Sequence, residues 1–191
     1  MIEIPNFIPK SYADIIEAIV CNNPDFSWQY NTSTNNQAAP EINRKTDKSY
    51  ESGQLVHTLF KEGTKRSPYF DVVFPFFYFL EEKTGVLLDA VERMKINMLL
   101  QRPGEDDAYN GPHVDITTPK MKSLLYYVTD SDGDTFIFNE TFADKKELTV
   151  RKRVAPQKGK AVLFDSNIWH ASSNPRHHAN RIVVNTIFRM K

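Results

Sequence analysis

From residue 91 onward the chain breaks into short apolar or alternating runs, and this succession restricts its fold more than any other feature. The runs are RMKINMLLQ, KSLLYYVTD, DTFIFNE, KELTVRKRVAP, KAVLFDS and NRIVVNTIFRM. The separators include RPGEDD, DSDGD, PQKGK and SNPRHH, rich in the residues that reverse a chain. Short strands at regular spacing, each with a face to bury, argue a β-sandwich or barrel. The C-terminal half is therefore expected to close as a jelly roll.

The first ninety residues have a different texture. PKSYADIIEAIVCNN reads as a helix capped by Ser11, with Tyr12, Ile15, Ile16, Ile19 and Val20 on one face. Residues 31–53 are polar, without period, and read as a long loop of the kind that forms a lid or stays disordered. Residues 54–63 read as helical. A stronger helix is expected in SPYFDVVFPFFYFLEEKTG, with Ser67 as cap, Pro68 in the first turn, Gly85 at the exit and a break at Pro75. Its aromatic residues, Phe70, Phe74, Phe76, Phe77, Tyr78 and Phe79, are expected to pack against a sheet. The organisation is thus one domain over 1–191: a helical support region at 1–90, with the polar loop 31–53, and a β core at 91–190. The fold class is α+β, mainly β.

Charge excludes some functions. Lys+Arg and Asp+Glu number 24 each, so no basic field calls for a nucleic acid. VVFPFFYFL is too short to span a bilayer, so no membrane partner is expected. The single cysteine, Cys21, forms no internal disulfide and reads as a packing residue. The start of the chain lacks the pattern of a signal peptide, and a cytoplasmic, intracellular location is the expectation.

The chemistry concentrates at GPHVDIT, residues 111–117, and VLFDSNIWHASSNPRHHANRIVVNTIF. His113 and Asp115 alone could be polar residues at a strand edge. On a strand, though, positions two apart point the same way. His170 follows an apolar run 57 positions later, and Arg181 opens the last strand eleven beyond that. Two imidazoles and a carboxylate on one face of a metal make the 2-His-1-carboxylate set of non-haem Fe(II) oxygenases. An arginine on a strand that points into a barrel calls for an anion.

In this order and spacing the C-terminal half resembles the Fe(II)/2-oxoglutarate-dependent dioxygenase superfamily, within it the prolyl-4-hydroxylase-like branch. RPGEDDAYNGPHVD resembles the approach to the first ligand pair, SLLYYVTD the next strand and GDTFIFN a glycine-led strand. APQKGKAVLFDSNIWHAS is similar to the run that carries the last histidine. The resemblance covers residues 91–190 and implies a double-stranded β-helix core with N-terminal supporting helices. It implies that His113, Asp115 and His170 ligate Fe(II), that Arg181 pairs with the distal carboxylate of 2-oxoglutarate, and that dioxygen is the oxidant. It also implies that Tyr127 and Ser123 support that carboxylate, while Tyr126 faces into packing.

The implied activity is hydroxylation of a C–H bond, with a prolyl residue of a peptide or protein as first expectation. A free amino acid or other small molecule is the alternative substrate, and a non-catalytic jelly roll that binds a carboxylate is the alternative outside catalysis. Manganese or zinc would also suit the three ligands. Arg102 stands where prolyl hydroxylases often have a tyrosine, and Ile187 stands where the DNA-repair dealkylases have a second arginine. His57 reads as a helix-face residue, His177 and His178 as loop residues, and Arg176 and Arg189 as weaker anchors for the cosubstrate. KKELTVRKR reads as a charged edge strand.

Overall fold

The structure, a computed structural model, describes every residue except 36–39, 106, 119 and 145. Its strands are β1 (Ile2–Ile4), β2 (Gln29–Asn31), β3 (Ser49–Tyr50), β4 (Gln54–Lys61), β5 (Thr64–Lys65), β6 (Leu88–Leu100) and β7 (Tyr109–Asn110). They continue with β8 (Met121–Tyr127), β9 (Thr135–Thr141), β10 (Val150–Val154), β11 (Ala161–Asp165), β12 (Ile168–Ser172) and β13 (Asn180–Met190). The helices are α1 (Lys10–Cys21), α2 (Phe70–Val73) and α3 (Phe76–Thr84).

One antiparallel sheet runs β1-β11-β8-β13-β6-β4-β2, with β5 attached to β4. A smaller one runs β10-β9-β12. The two face each other as a jelly roll, with Leu125, Tyr127, Ile137, Val162, Phe164 and Val183 buried between them. The helices cover the outer face of the large sheet. There Phe7, Ile16, Leu59, Phe76, Leu80, Tyr126 and Phe188 form the main core, and Tyr126 packs against Phe76 at 4.8 Å between ring centres. As expected from strand alternation, neighbouring Tyr126 and Tyr127 lie on opposite faces. β10 is an edge strand with exposed charges, the reading given to its basic run.

Several local expectations need correction. Residues 54–61 are a strand, not a helix. Leu55, Val56, Leu59 and Phe60 fit a helical period, but the segment pairs with β6 along its length. Its return is a tight turn in which Glu62 and Gly63 both have positive φ, 54° and 70°, the backbone of a two-residue hairpin. The first ninety residues are therefore not only a helical support, because β1, β2, β4 and β5 all join the large sheet. The first helix begins at Lys10 after Pro9, and Ser11 does not cap it. Pro75 splits the second helical region, and Gly85 ends it at φ 71° as its place predicts. Ser67 stands before α2, and its hydroxyl accepts from Tyr69 N at 3.2 Å. Tyr78 is exposed rather than packed against a sheet. No helix among the described residues is long and apolar enough to cross a membrane.

The polar stretch 31–53 is not featureless where it is described. Its lid reading falls partly on residues 36–39, which lie outside the described residues. Beyond them comes a short 3-10 turn, Pro40–Ile42. Asn43 then bridges His113, and β3 pairs with β7 in parallel. The segment thus runs alongside the first histidine.

Candidate metal centre

The two histidines come together because their backbones are paired. His113 N donates to His170 O, and His170 N donates to His113 O, both at 2.9 Å. Asp115 N donates to Ser166 O at 2.9 Å. The segment around 113–115 therefore runs antiparallel beside β12, joined to that strand by an isolated bridge between His113 and His170. Side chains two residues apart on it share a face, so Asp115 joins His113 on the side where His170 stands. One ligand atom from each of the three lies within 4.8 Å of the others. His170 Nε2 is 3.6 Å from Asp115 Oδ2, and the imidazole rings are 4.4 Å apart.

Hydrogen bonds orient each side chain so that the three could hold a metal ion. His170 Nδ1 faces Ile168 O at 2.9 Å, and His113 Nδ1 faces Gly111 O at 3.4 Å. A carbonyl only accepts, so Nδ1 carries the proton and Nε2 presents its lone pair. Burial first, and then His170 beside it, lower the pKa of His113 to about 3. Burial pushes the Asp115 carboxyl up, but His170 and the Arg93 guanidinium more than offset this and hold it well below the usual carboxylate range. Arg93 Nη2 reaches Asp115 Oδ1 at 3.0 Å, and Ser123 Oγ donates to Oδ2 at 2.6 Å.

Both shifts act on stability in one direction. An unfolded His113 takes up a proton near pH 6.5 and the folded one only near 3, so acidification through that window favours unfolding. Asp115 ionises more readily folded than unfolded, so its contribution is also lost as pH falls below about 4. The metal-free protein is expected to lose melting temperature steadily below pH 6.5, measured by thermal unfolding. A flat profile down to pH 4 would contradict this.

Arg181 lies on the inner face of β13 and is buried. Its Nε donates to Gly133 O and its Nη2 to Thr135 Oγ1, both at 2.7 Å. Tyr127 OH also donates to Thr135 Oγ1, at 2.8 Å, and its ring lies 5.8 Å from the guanidinium. A guanidinium has five N–H donors, so these bonds leave Nη1 for a ligand. Gly133 is a place where only glycine fits, because a Cβ would stand 2.6 Å from Ser173 O and 3.0 Å from Arg181 Cδ. A narrow cavity lined by Leu125, Thr135, Val183 and Asn185 has Arg181, His113 and His170 on its wall.

Ser123 belongs elsewhere than the resemblance implies. It is on the same strand face as Tyr127, but its hydroxyl is engaged by Asp115 and by Ser166 at 2.9 Å. In this structure its hydroxyl orients the Asp115 carboxylate. Removing an outer partner of a metal ligand typically costs 10- to 100-fold in affinity. Ser123→Ala is therefore expected to weaken iron binding by roughly 10-fold or more, read by metal titration. Unchanged affinity would return Ser123 to a packing role.

The remaining residues fall away from the centre. His57, on β4, faces the helices and bonds Ser27 O and Ser67 Oγ, each at 2.7 Å. His178 Nδ1 pairs with Asp132, whose carboxylate also accepts from the backbone N–H groups of Arg176, His177 and His178. Arg189 pairs with Asp89 at 2.5 Å on the surface. Arg102 stacks on Tyr50 and bonds Glu51 O at 2.8 Å, which ties down the end of the 31–53 segment.

Sequence reasoning missed Arg93, Lys95 and Thr135. In RMKINML, positions 93, 95 and 97 are polar while 94, 96 and 98 are apolar, an alternation that sequence alone cannot tell from a solvent-facing side. In the structure Arg93 and Lys95 line a pocket of about 620 Å³, whose wall also carries Gln54, Thr58 and residues 30–35, with His113 and Asp115 on it, while Asn97 lines the narrow inner cavity.

Comparison with known proteins agrees with this geometry. Residues 97–189 match the family model of the 2OG-Fe(II) oxygenase superfamily. A 2OG-Fe(II) oxygenase family oxidoreductase from Burkholderia pseudomallei superposes with a TM-score of 0.67 at 14% identity, covering 98% of this chain and 84% of that one. A Pseudomonas putida prolyl-4-hydroxylase gives 0.54 at 17% identity, covering 100% and 92%. The alpha ketoglutarate dependent epimerase SnoN of nogalamycin biosynthesis gives 0.60 at 7%, covering 98% and 77%. At these identities the structures are similar in fold. No curated protein sequence matches significantly.

Proposed function

Since the chain belongs, over residues 97–189, to the 2OG-Fe(II) oxygenase superfamily, whose members use Fe(II), 2-oxoglutarate and dioxygen, we propose that it is a hydroxylase with its iron on His113, Asp115 and His170. The observation that carries this is the convergence of the three ligand atoms where two spaces adjoin: His113 and Asp115 line the outer pocket, and His113, His170 and the buried Arg181 line the inner cavity. The donor set fits Fe(II): two neutral imidazole nitrogens and an anionic oxygen, with coordination positions left for other ligands. Arg181 fits the distal carboxylate of 2-oxoglutarate, with Thr135 and Tyr127 fixing the guanidinium from behind.

When bound, the iron, keto acid and dioxygen supply the oxidising chemistry, in which 2-oxoglutarate goes to succinate and carbon dioxide and a substrate C–H becomes C–OH. The chain's own residues do the positioning. Arg93 and Ser123 keep Asp115 ionised and aimed. The Gly111 and Ile168 carbonyls set the imidazole tautomers. Burial of Arg181 strengthens its hold on an anion, because little water competes there. Residues 31–35 and Ile42 line the pocket, and the 31–53 segment they belong to is read as the lid.

A prolyl residue in a peptide or protein is the first substrate reading. A free amino acid or other small molecule is the second, favoured by the polar lining of the pocket. A cytoplasmic setting accompanies the proposal, since a ferrous centre and a lone thiol suit a reducing compartment.

Anaerobic titration with Fe(II) and then 2-oxoglutarate tests the reading. A visible iron–keto-acid charge-transfer band, followed by succinate when air is admitted, is the expected result. Absence of both would leave a carboxylate-binding jelly roll without catalysis.

A further inference from the structure

Lys95 forms no ion pair among the described residues, Asp115 being a nearby charge that favours its ammonium without bonding it, and nothing in the machinery above uses it. It stands on the pocket side of β6, paired in register with Thr58 of β4 and Asn185 of β13. It lines both the outer pocket and the inner cavity shared with Arg181. Among the described residues its ammonium makes no hydrogen bond and no ion pair. Keeping a partly desolvated ammonium without an acceptor is costly, and an entering anion removes that cost.

The neighbours add to the same field. Arg93 spends Nη2 on Asp115, while its buried Nε has no hydrogen-bond partner among the described residues. Lys61 lines the pocket as well, beside its partner Glu62 at 3.2 Å. Asp115 is the sole acid lining the pocket among the described residues, and both its oxygens are already engaged, by Arg93 and by Ser123. With metal and cosubstrate present, Fe(II), Asp115, 2-oxoglutarate and Arg181 sum to neutrality. Arg93 remains as surplus positive charge, joined by Lys95 whenever it is protonated; burial, and then Arg93 beside it, lower the pKa of Lys95 to about 7.

We propose that the pocket takes an anionic substrate whose carboxylate or phosphate sits against the Lys95 ammonium, next to the hydroxyl and amide groups of Thr32–Asn35. This rests on the oxygenase reading and narrows it, because an uncharged prolyl side chain offers the ammonium nothing. Arg181 serves the cosubstrate and Lys95 the substrate, so the two anions are bound by separate cations.

The test uses the full chain loaded anaerobically with Fe(II) and 2-oxoglutarate. Matched probes are titrated in: L-aspartate against L-asparagine, L-glutamate against L-glutamine, and O-phospho-L-serine against L-serine. Binding is read from the perturbed charge-transfer band and by calorimetry. At least one acid is expected to bind roughly 10-fold more tightly than its partner with a neutral side chain, about 1.4 kcal/mol, the α-carboxylate being common to both. The carboxylate and phosphate arms show which anion is preferred. In Lys95→Met that preference collapses, and in Lys95→Arg it returns.

Acids that bind no better than those partners, or not at all, overturn the proposal. So does a Lys95→Met protein that loses 2-oxoglutarate affinity instead of acid preference, since the lysine would then belong to the cosubstrate. A wild-type protein that forms no band with 2-oxoglutarate fails at the earlier step, and this proposal fails with it.

Discussion

His113→Ala is expected to abolish turnover and to reduce iron binding by well over roughly 100-fold, beyond the upper end of what loss of an outer partner costs. The fold should survive. His113 is joined to His170 by two backbone hydrogen bonds that the substitution leaves in place. Truncating its half-buried ring should cost about 1–2 kcal/mol of stability. Metal content after reconstitution and the melting temperature separate the two effects. Near-stoichiometric iron in this variant would mean that the metal sits elsewhere. A collapsed melting temperature would mean that the ring holds the fold. Asp115→Ala should lose iron similarly but cost more stability, because it leaves Arg93 without its anion and Ser123 without its acceptor.

Arg181→Leu is expected to raise the KM for 2-oxoglutarate by roughly 100-fold or more, since truncating one partner of a buried, hydrogen-bonded charge pair costs about 2–5 kcal/mol. Iron binding should be spared, because Arg181 touches Gly133 and Thr135 but none of the three ligands. Arg181→Lys should recover only part of the loss, because an ammonium lacks the flat fork that meets two carboxylate oxygens. Steady-state kinetics with succinate as readout checks both variants. An unchanged KM in Arg181→Leu would hand the anchoring role to another cation, with Lys95 the first to examine.

Much of this site was legible in the chain, for a physical reason. A metal triad built on strands needs ligands two apart on one strand and a third from a strand that folds back beside it. His113, Asp115 and His170 show that spacing without any coordinates. The position of Arg181 at the start of an apolar strand was legible for the same kind of reason, since a buried guanidinium needs an anion. The jelly roll followed from turn-separated short runs, and the exit of α3 from Gly85.

What stayed hidden depends on pairing across the sheet. β4 carries apolar residues at 55, 56, 59 and 60, a helix-like spacing, yet its long antiparallel partner β6 makes it a strand. The Glu62-Gly63 turn was the available sign of that hairpin. Ser123 matched a position in relatives, and only the three-dimensional structure shows that its hydroxyl meets Asp115. Lys95 and Arg93 looked like an exposed face because alternation reports two sides of a strand without saying which side is a pocket. Thr135 gave no signal at all, as nothing in DTFIFNE marks its hydroxyl as the bridge between Tyr127 and Arg181.

The central claim is that one cation is held jointly by two imidazoles and one carboxylate distant along the chain. The most direct check is anomalous diffraction at the iron edge from anaerobic crystals grown with Fe(II). A single peak within bonding distance of His113 Nε2, His170 Nε2 and an Asp115 oxygen is expected. A peak at other residues, or fully ordered side chains at 113, 115 and 170 with no metal among them, would contradict it.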